Sequence, residues 1–347
     1  MKKKHLAEIG YIFLLTAFTI YLILDTFVIS SAFQENAVQM NTAIFTQLEE
    51  TSLKEEIEEN DTSENDSTNR RRKPDGNSKT SASRADTQER EGSSGTSAIL
   101  SEFAEVGIAS AQSYEDENIS ITISEYEELG THIYVADVVL SSAQYLKTAF
   151  AQDTYGKNIT DPTSVIASEH DAILAVNGDY YGSQESGYVI RNGIVYREAG
   201  NGDNIVCIYA DGSMEIVDSD DITAQELVEQ GVWQAFCFGP ELLEDGQIVI
   251  SEEEEVGKAK ASNPRTAVGI IDNNHFVFVV SDGRTDESEG LSLYELAGFM
   301  ESLGVTTAYN LDGGGSSTMV FQGEVINNPT SGGRIAERSI SDIIYIG

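Results

Sequence analysis

Histidine, cysteine and tryptophan are scarce in this chain of 347 residues, at four, two and one. His132, His170 and His275 stand away from every polar cluster, which argues against a Ser-His-Asp hydrolase and a His-rich metal site. Cys207 and Cys237 have no histidine near them in sequence and make no zinc pattern. Both sit in apolar strand-like runs, and a disulfide or two buried thiols stay open as readings. Positive charge is also short: 21 Lys and Arg against 58 Asp and Glu, a net of −37. Residues 99–347 carry 10 of the basic and 42 of the acidic side chains. Nucleic acid is therefore excluded as a partner, because neutralising phosphates takes clustered Lys and Arg. An anionic substrate must be met by a few well-placed arginines or by an ion. No cofactor or metal site is expected, with a divalent cation as the open alternative.

Three regions follow from composition. Residues 1–33 hold a basic tip, Met1 to His5, then an apolar run from Ile9 to Leu24 that continues past Asp25 to Ile29. Counted to Ile29 this is about the 20 residues needed to cross a bilayer, with the amino terminus inside and the rest extracytoplasmic. A single-pass cell-membrane protein is the expectation, and a cleavable signal peptide is the rival. Residues 34–98 read as a disordered polar stalk, with an optional short helix at 46–59 and a basic knot at Arg70 to Lys73. Residues 99–347 form the folded domain. Period-two alternation marks strands at 119–123 and 131–138, and Asn-Gly and Asp-Gly pairs mark hairpins. Helical stretches are predicted near Ala143–Ala151, Thr163–Glu169 and Thr223–Glu229. A capping box at Ser292 to Glu295 opens a further helix with Leu293, Leu296, Ala297, Met300 and Leu303 on one face. The expected fold class is α+β: one mixed, strand-rich domain with a few packed helices.

The chemistry concentrates where strand-like runs end. The most distinctive stretch is Asn310-Leu311-Asp312-Gly313-Gly314-Gly315-Ser316-Ser317-Thr318, which reads as strand, tight loop, strand. Glycines without Cβ atoms allow close approach to a ligand, and successive amides there suit an anion. No lysine follows, so it is no P-loop. Four similar tips accompany it: Asn177-Gly178-Asp179, Asn263-Pro264-Arg265, Asp282-Gly283-Arg284, and Asn327-Asn328 with the later Arg338. Carboxylates are the remaining acid-base candidates, in the order Asp312, Asp179, Asp282. Substrate-binding candidates are Arg265, Arg284 and Arg338 for an anion, with Asn177, Asn310 and Asn327 for hydroxyls. The backbone of Gly313, Gly314, Gly315, Ser316 and Ser317 completes the set. Carboxylates in a hydroxyl-rich cleft point toward glycosidic bonds.

The ordered set AVNGDYY, FGPELLEDG, NPRTAVGI, VSDGR, GLSLYELAGFMESLG, AYNLDGGGSSTMV and INNP resembles the phosphodiester glycosidase family over residues 119–347. The resemblance implies hydrolysis of a sugar-1-phosphodiester at the bond between the anomeric carbon and oxygen. It also implies a glycan substrate at the cell surface or in exopolysaccharide. Phosphate is a good leaving group, which reduces the need for a strong general acid. Two other readings use the same cleft: a non-catalytic glycan-binding module, and a glycosyl or phosphoglycosyl transferase in wall polymer assembly.

Overall fold

Alternating apolar and polar residues dominate the folded part, and they build sheets. The computed structural model describes residues 2–27, 31–32, 38–39, 108–200, 202–251 and 262–347. The expected stalk, apart from Val38–Gln39, and the optional helix at 46–59 lie outside the described residues.

Every strand pairing within the three large sheets is antiparallel. The largest sheet has eight strands in the order Gln247–Ile248, Glu241–Glu244, Thr307–Asn310, Arg265–Asp272, His275–Ser281, Thr131–Leu140, Ile119–Glu128 and Ile108–Glu115. A five-stranded sheet runs Glu324–Val325, Met319–Phe321, Leu174–Asn177, Asp342–Ile346 and Leu146–Phe150. A six-stranded sheet contains Val189–Arg191, Asn204–Tyr209 and Val232–Phe236. One core joins all three, with Ile121, Phe278 and Tyr309 of the first, Leu174 and Ile344 of the second, and Val206 and Phe236 of the third. The two outer faces are covered by helices. Leu293–Ser302 lays Leu296, Ala297 and Met300 on the eight-stranded sheet, and Thr163–Glu169 lays Ile166 and Ala167 on the five-stranded one. The domain is α+β, as expected.

Local signals explain most elements. Both reciprocal bonds of a capping box form at Ser292–Glu295 and again at Thr223–Glu226, satisfying amides the helix leaves open. Asn192-Gly193, Asp245-Gly246 and Gln322-Gly323 all take positive φ at hairpin turns, the conformation a two-residue turn of this kind demands. The helix expected at Ala143–Ala151 is a correction. Ala143–Tyr145 is a single 3₁₀ turn, and Leu146–Phe150 is a strand paired with Asp342–Ile346. Pairing with a strand nearly 200 residues away overrides the local helical preference. Cys207 and Cys237 are buried free thiols.

The apolar run expected to cross a bilayer as far as Ile29 is described only to Phe27. Lys2–Phe27 is helical, but among the described residues no helix is long and apolar enough to cross a membrane. Between Glu8 and Asp25 it offers residues 9–24, about 24 Å of rise against a hydrocarbon core of about 30 Å. Further on, Ser31–Ala32 pairs with Gly156–Lys157, and Val38–Gln39 pairs with Ile194–Val195.

The site is positioned by register. Arg265 pairs with Ser281 and Ala267 with Asn310, so three neighbouring strands begin or end at one edge. Met319 pairs with Val176, and Asn177 with Ile343, in the five-stranded sheet. The loop 311–318 links the two sheets at this edge.

Candidate active site

Asp312 follows the strand Thr307–Asn310, and the chain then closes a 3₁₀ turn at Gly314–Ser316. The turn is pinned from both sides. Leu311 N–H donates to Thr266 O at 2.8 Å, and Gly314 N–H donates to Pro264 O at 2.8 Å. Ser316 and Ser317 amides donate back to Gly313 O and Gly314 O, both at 3.3 Å. The anion nest expected from these amides is therefore a correction: those of Gly314, Ser316 and Ser317 are spent inside the protein. The glycines serve a different purpose. A Cβ on Gly313 would sit 2.9 Å from Pro264 O, one on Gly314 2.8 Å from Arg284 Nη2, and one on Gly315 2.9 Å from Arg338 Nε. Bare backbone lets two guanidiniums lie directly on the turn. Gly314 also has φ +65°, which favours glycine.

A cavity of about 180 Å³ opens beside this turn, lined by Phe238, Asn263, Arg265, Arg284, Asp312, Gly313, Gly314 and Arg338. Arg265 is buried, with its Nε donating to Leu291 O at 2.9 Å. Its Nη2 is sealed from water without a hydrogen-bond partner. Burial, and then the charge of Arg284, pull its pKa down to about 10. Arg284 donates from Nε and Nη2 to Asn263 Oδ1 at 3.2 and 3.0 Å. Arg338 is exposed and reaches Ser316 Oγ from Nη1 at 3.4 Å. Asp312 is buried, and its Oδ2 accepts from Ser316 Oγ at 2.5 Å. Burial raises its carboxyl above the usual range, the Ser316 hydroxyl and Arg338 oppose that rise, and Asp179 adds to it. A basic carboxylate and three guanidiniums thus share one pocket, which can bind an anion and accept a proton beside it.

Asp312, Arg265, Arg284, Arg338, Gly313 and Gly314 line this pocket together, as expected of converging strand tips. Other candidates are buried framework around it. Asp179 accepts from Tyr181 N–H through Oδ1 at 3.0 Å and from Cys237 N–H through Oδ2 at 3.1 Å, and pairs with Arg191 Nη2 at 2.9 Å. Asp282 accepts from Asn328 N–H at 2.8 Å, Asn328 Nδ2 at 3.1 Å and Asn327 Nδ2 at 3.2 Å, fixing the 327–328 loop. Asn327 in turn holds Met319 N–H at 2.9 Å and Ser317 O at 3.1 Å. Asn177 donates to the main-chain carbonyl of Asp312 at 2.6 Å and accepts from Thr266 Oγ1 at 2.8 Å. Asn310 donates to Gly239 O at 2.7 Å, leaving a buried Oδ1 without a partner. Gly315, Ser316 and Ser317 are buried in the turn. His132, His170 and His275 each face a carboxylate (Glu125, Asp153 and Asp137), and none of them lines the pocket.

Three residues went unrecognised in the sequence. Phe238 and Asn263 line the pocket, although both fall within motifs quoted above. Arg191 is 1% exposed and joins Asp179 to Asp342, its Nε 2.8 Å from Asp342 Oδ2. Its guanidinium also lies 4.2 Å from the Phe236 ring centroid. Burial and the second carboxylate raise Asp342 to about 7, against the opposing pull of Arg191.

A profile of the phosphodiester glycosidase family matches residues 170–347. The chain belongs to that family. Among curated relatives, the SPbeta prophage-derived uncharacterized protein YomE of Bacillus subtilis is 27% identical over 256 residues, 67% of this chain and 39% of its own length. N-acetylglucosamine-1-phosphodiester alpha-N-acetylglucosaminidase of Mus musculus is 35% identical over 101 residues, 26% of this chain and 19% of that protein. The chain thus spans well under half the length of these relatives. Among solved structures, the catalytic domain of the zebrafish N-acetylglucosamine-1-phosphodiester alpha-N-acetylglucosaminidase, auto-inhibited by its pro-peptide, aligns with a TM-score of 0.52. The two are 25% identical, and the alignment covers 70% of this chain and 87% of that one. The phosphodiester glycosidase match takes in the glycine turn, Arg265, Arg284 and Arg338, and the framework residues Asp179, Arg191 and Asp342.

Proposed function

We propose that this phosphodiester glycosidase family member hydrolyses a sugar-1-phosphodiester, with Asp312 as the base and the three arginines holding the phosphate. The observation that carries the reading is the pocket itself, in which Asp312 is, among the described residues, the one lining carboxylate beside Arg265, Arg284 and Arg338. A carboxyl raised by burial is a stronger base once ionised, and base catalysis gains as the pKa approaches the working pH. Asp312 takes a proton from the water that attacks the anomeric carbon. Phe238 offers an apolar face at the same mouth, suited to the ring of a sugar. The arginines orient and stabilise the phosphate through charge-assisted bonds.

We further infer an extracytoplasmic site of action on a surface or exopolysaccharide glycan. The order of the sequence supports this: a basic tip and an apolar run precede a domain of strong negative charge. Protease accessibility on intact cells tests it, and protection of residues 108–347 from added protease would overturn it.

The test of the reaction is release of free sugar from a panel of sugar-1-phosphodiesters by the full-length protein. Asp312→Asn keeps an acceptor for Ser316 and preserves thermal stability while abolishing release. Unchanged turnover in that variant refutes the role of Asp312. Saturable binding with no sugar released from any member of the panel refutes hydrolysis.

A further inference from the structure

The pocket holds more positive charge than a phosphodiester requires. A diester of phosphoric acid carries one negative charge, yet Arg265, Arg284 and Arg338 face it together, with Asp312 as the one acidic lining residue among the described residues. Arg265 lies deepest, 4% exposed, and its sealed Nη2 has no protein acceptor. A buried charged group left unmatched is costly, and Arg265 lines the cavity, so its guanidinium is available to a ligand anion. Arg284 and Arg338 close in over Gly314 and Gly315, where any Cβ would push them back. Crowding three like charges is unfavourable, and the fold keeps them together with bonds to Leu291 O, Asn263 and Ser316.

Resting on the reading that this pocket takes the phosphate of a sugar-1-phosphodiester, we propose that the three arginines are matched to the departing phosphomonoester dianion rather than to the bound diester. As the water oxygen bonds to the anomeric carbon, the carbon–oxygen bond to phosphate breaks. Its electron pair stays on the phosphate oxygen, which becomes doubly charged. The proton of the water passes to Asp312, which becomes neutral. Among the described residues, the lining therefore goes from two net positive charges to three, in step with a phosphate going from one negative charge to two. Interactions that strengthen along the reaction coordinate are the ones that accelerate it. The leaving oxygen departs without a proton donor, and its new charge is received by guanidiniums already in place. A site built this way holds its phosphomonoester product tightly, whatever alcohol the phosphate carries.

Calorimetry on the full-length protein tests this with methyl phosphate, dimethyl phosphate and methyl diphosphate as probes at pH 8. Methyl phosphate is expected to bind at least about tenfold more tightly than dimethyl phosphate, equivalent to about 1.4 kcal/mol. The preference should fade as pH drops below the second phosphate ionisation near about 6. Arg284→Gln and Arg338→Gln, both at exposed positions, should each shrink it. Equal affinity for the monoester and the diester overturns the proposal, as does a preference that survives both substitutions. Methyl diphosphate bound more than about tenfold tighter than methyl phosphate also overturns it, assigning the excess charge to a second phosphate of the substrate. Binding and turnover separate the two readings. A protein that prefers the monoester but releases no sugar loses only the hydrolase assignment, and one that releases sugar without the preference loses only this proposal.

Discussion

Adding one methyl group at Gly315 should disable the pocket without unfolding the protein. The new Cβ would lie 2.9 Å from Arg338 Nε, 3.0 Å from its Nη2 and 3.1 Å from Ser331 Oγ. Real Cβ contacts of 3.0 Å are rare, so something must yield. Of the two side chains the new Cβ would meet, Arg338 is the long, exposed one, and it swings outward at little cost. Gly315 has no positive φ, so alanine meets no backbone strain, and its lower unfolded-state entropy contributes about 0.4–1 kcal/mol of stability. Tm should therefore change little. Activity should not be spared. A hydrogen bond to a charged group is worth about 1.5–3 kcal/mol, and losing that much transition-state stabilisation lowers kcat/KM by about tenfold to a hundredfold. The assay is sugar release by Gly315→Ala, Arg338→Ala and the double variant. If the glycine acts through the arginine, the double variant is no worse than Arg338→Ala alone, the non-additivity expected of groups in contact. Wild-type kcat/KM in Gly315→Ala, or a fully additive double variant, refutes the reasoning.

Two further outcomes follow from the framework. Asn177→Ala should lower kcat with little change in KM, because Asn177 holds the Asp312 carbonyl rather than a substrate hydroxyl; a rise in KM at constant kcat would show direct substrate contact. Folding stability should fall as pH rises from about 4 to about 7, since burial raises Asp342 to about 7 and the native state holds a proton that the unfolded chain has released. Chemical denaturation at several pH values reads this slope, which Asp342→Asn should flatten; an unchanged slope in the variant removes Asp342 as its source.

The sequence made the site's location legible because strand-like runs ended repeatedly in Asp, Asn, Arg and Gly, and antiparallel register brings such ends to one edge. Arg265, Arg284, Arg338 and Asp312 could be chosen on residue type alone, since arginines are few in the domain and Arg265, Arg284 and Asp312 each stood beside a glycine or proline. Roles were harder to read than places. Asp179 looks like Asp312 in sequence, a carboxylate after a strand beside glycine. Only the fold shows that Arg191, twelve residues on, and Asp342 enclose it. Asn177, Asn327 and Asp282 likewise spend their polar atoms on backbone and side chains of the framework, which depends on segments brought together by the fold. The glycine triplet was read for its amides, whereas its use is the space above Cα, occupied by side chains that arrive from the 284 and 338 loops. Residues 146–150 failed as a helix for the same reason: the partner that makes them a strand lies near residue 345.

The strand Asp342–Ile346 has a consequence for how the molecule is made. It inserts between Leu146–Phe150 and Leu174–Asn177, segments that leave the ribosome long before it does. Until it arrives, two apolar ribbons stand with unpaired amides and carbonyls facing each other across a gap, and Arg191 lacks one of its two counter-charges. Nascent chains stalled ahead of residue 342 should be prone to strand-to-strand sticking, and a chaperone that shields these ribbons would protect the nascent chain before the arginine-lined pocket can exist.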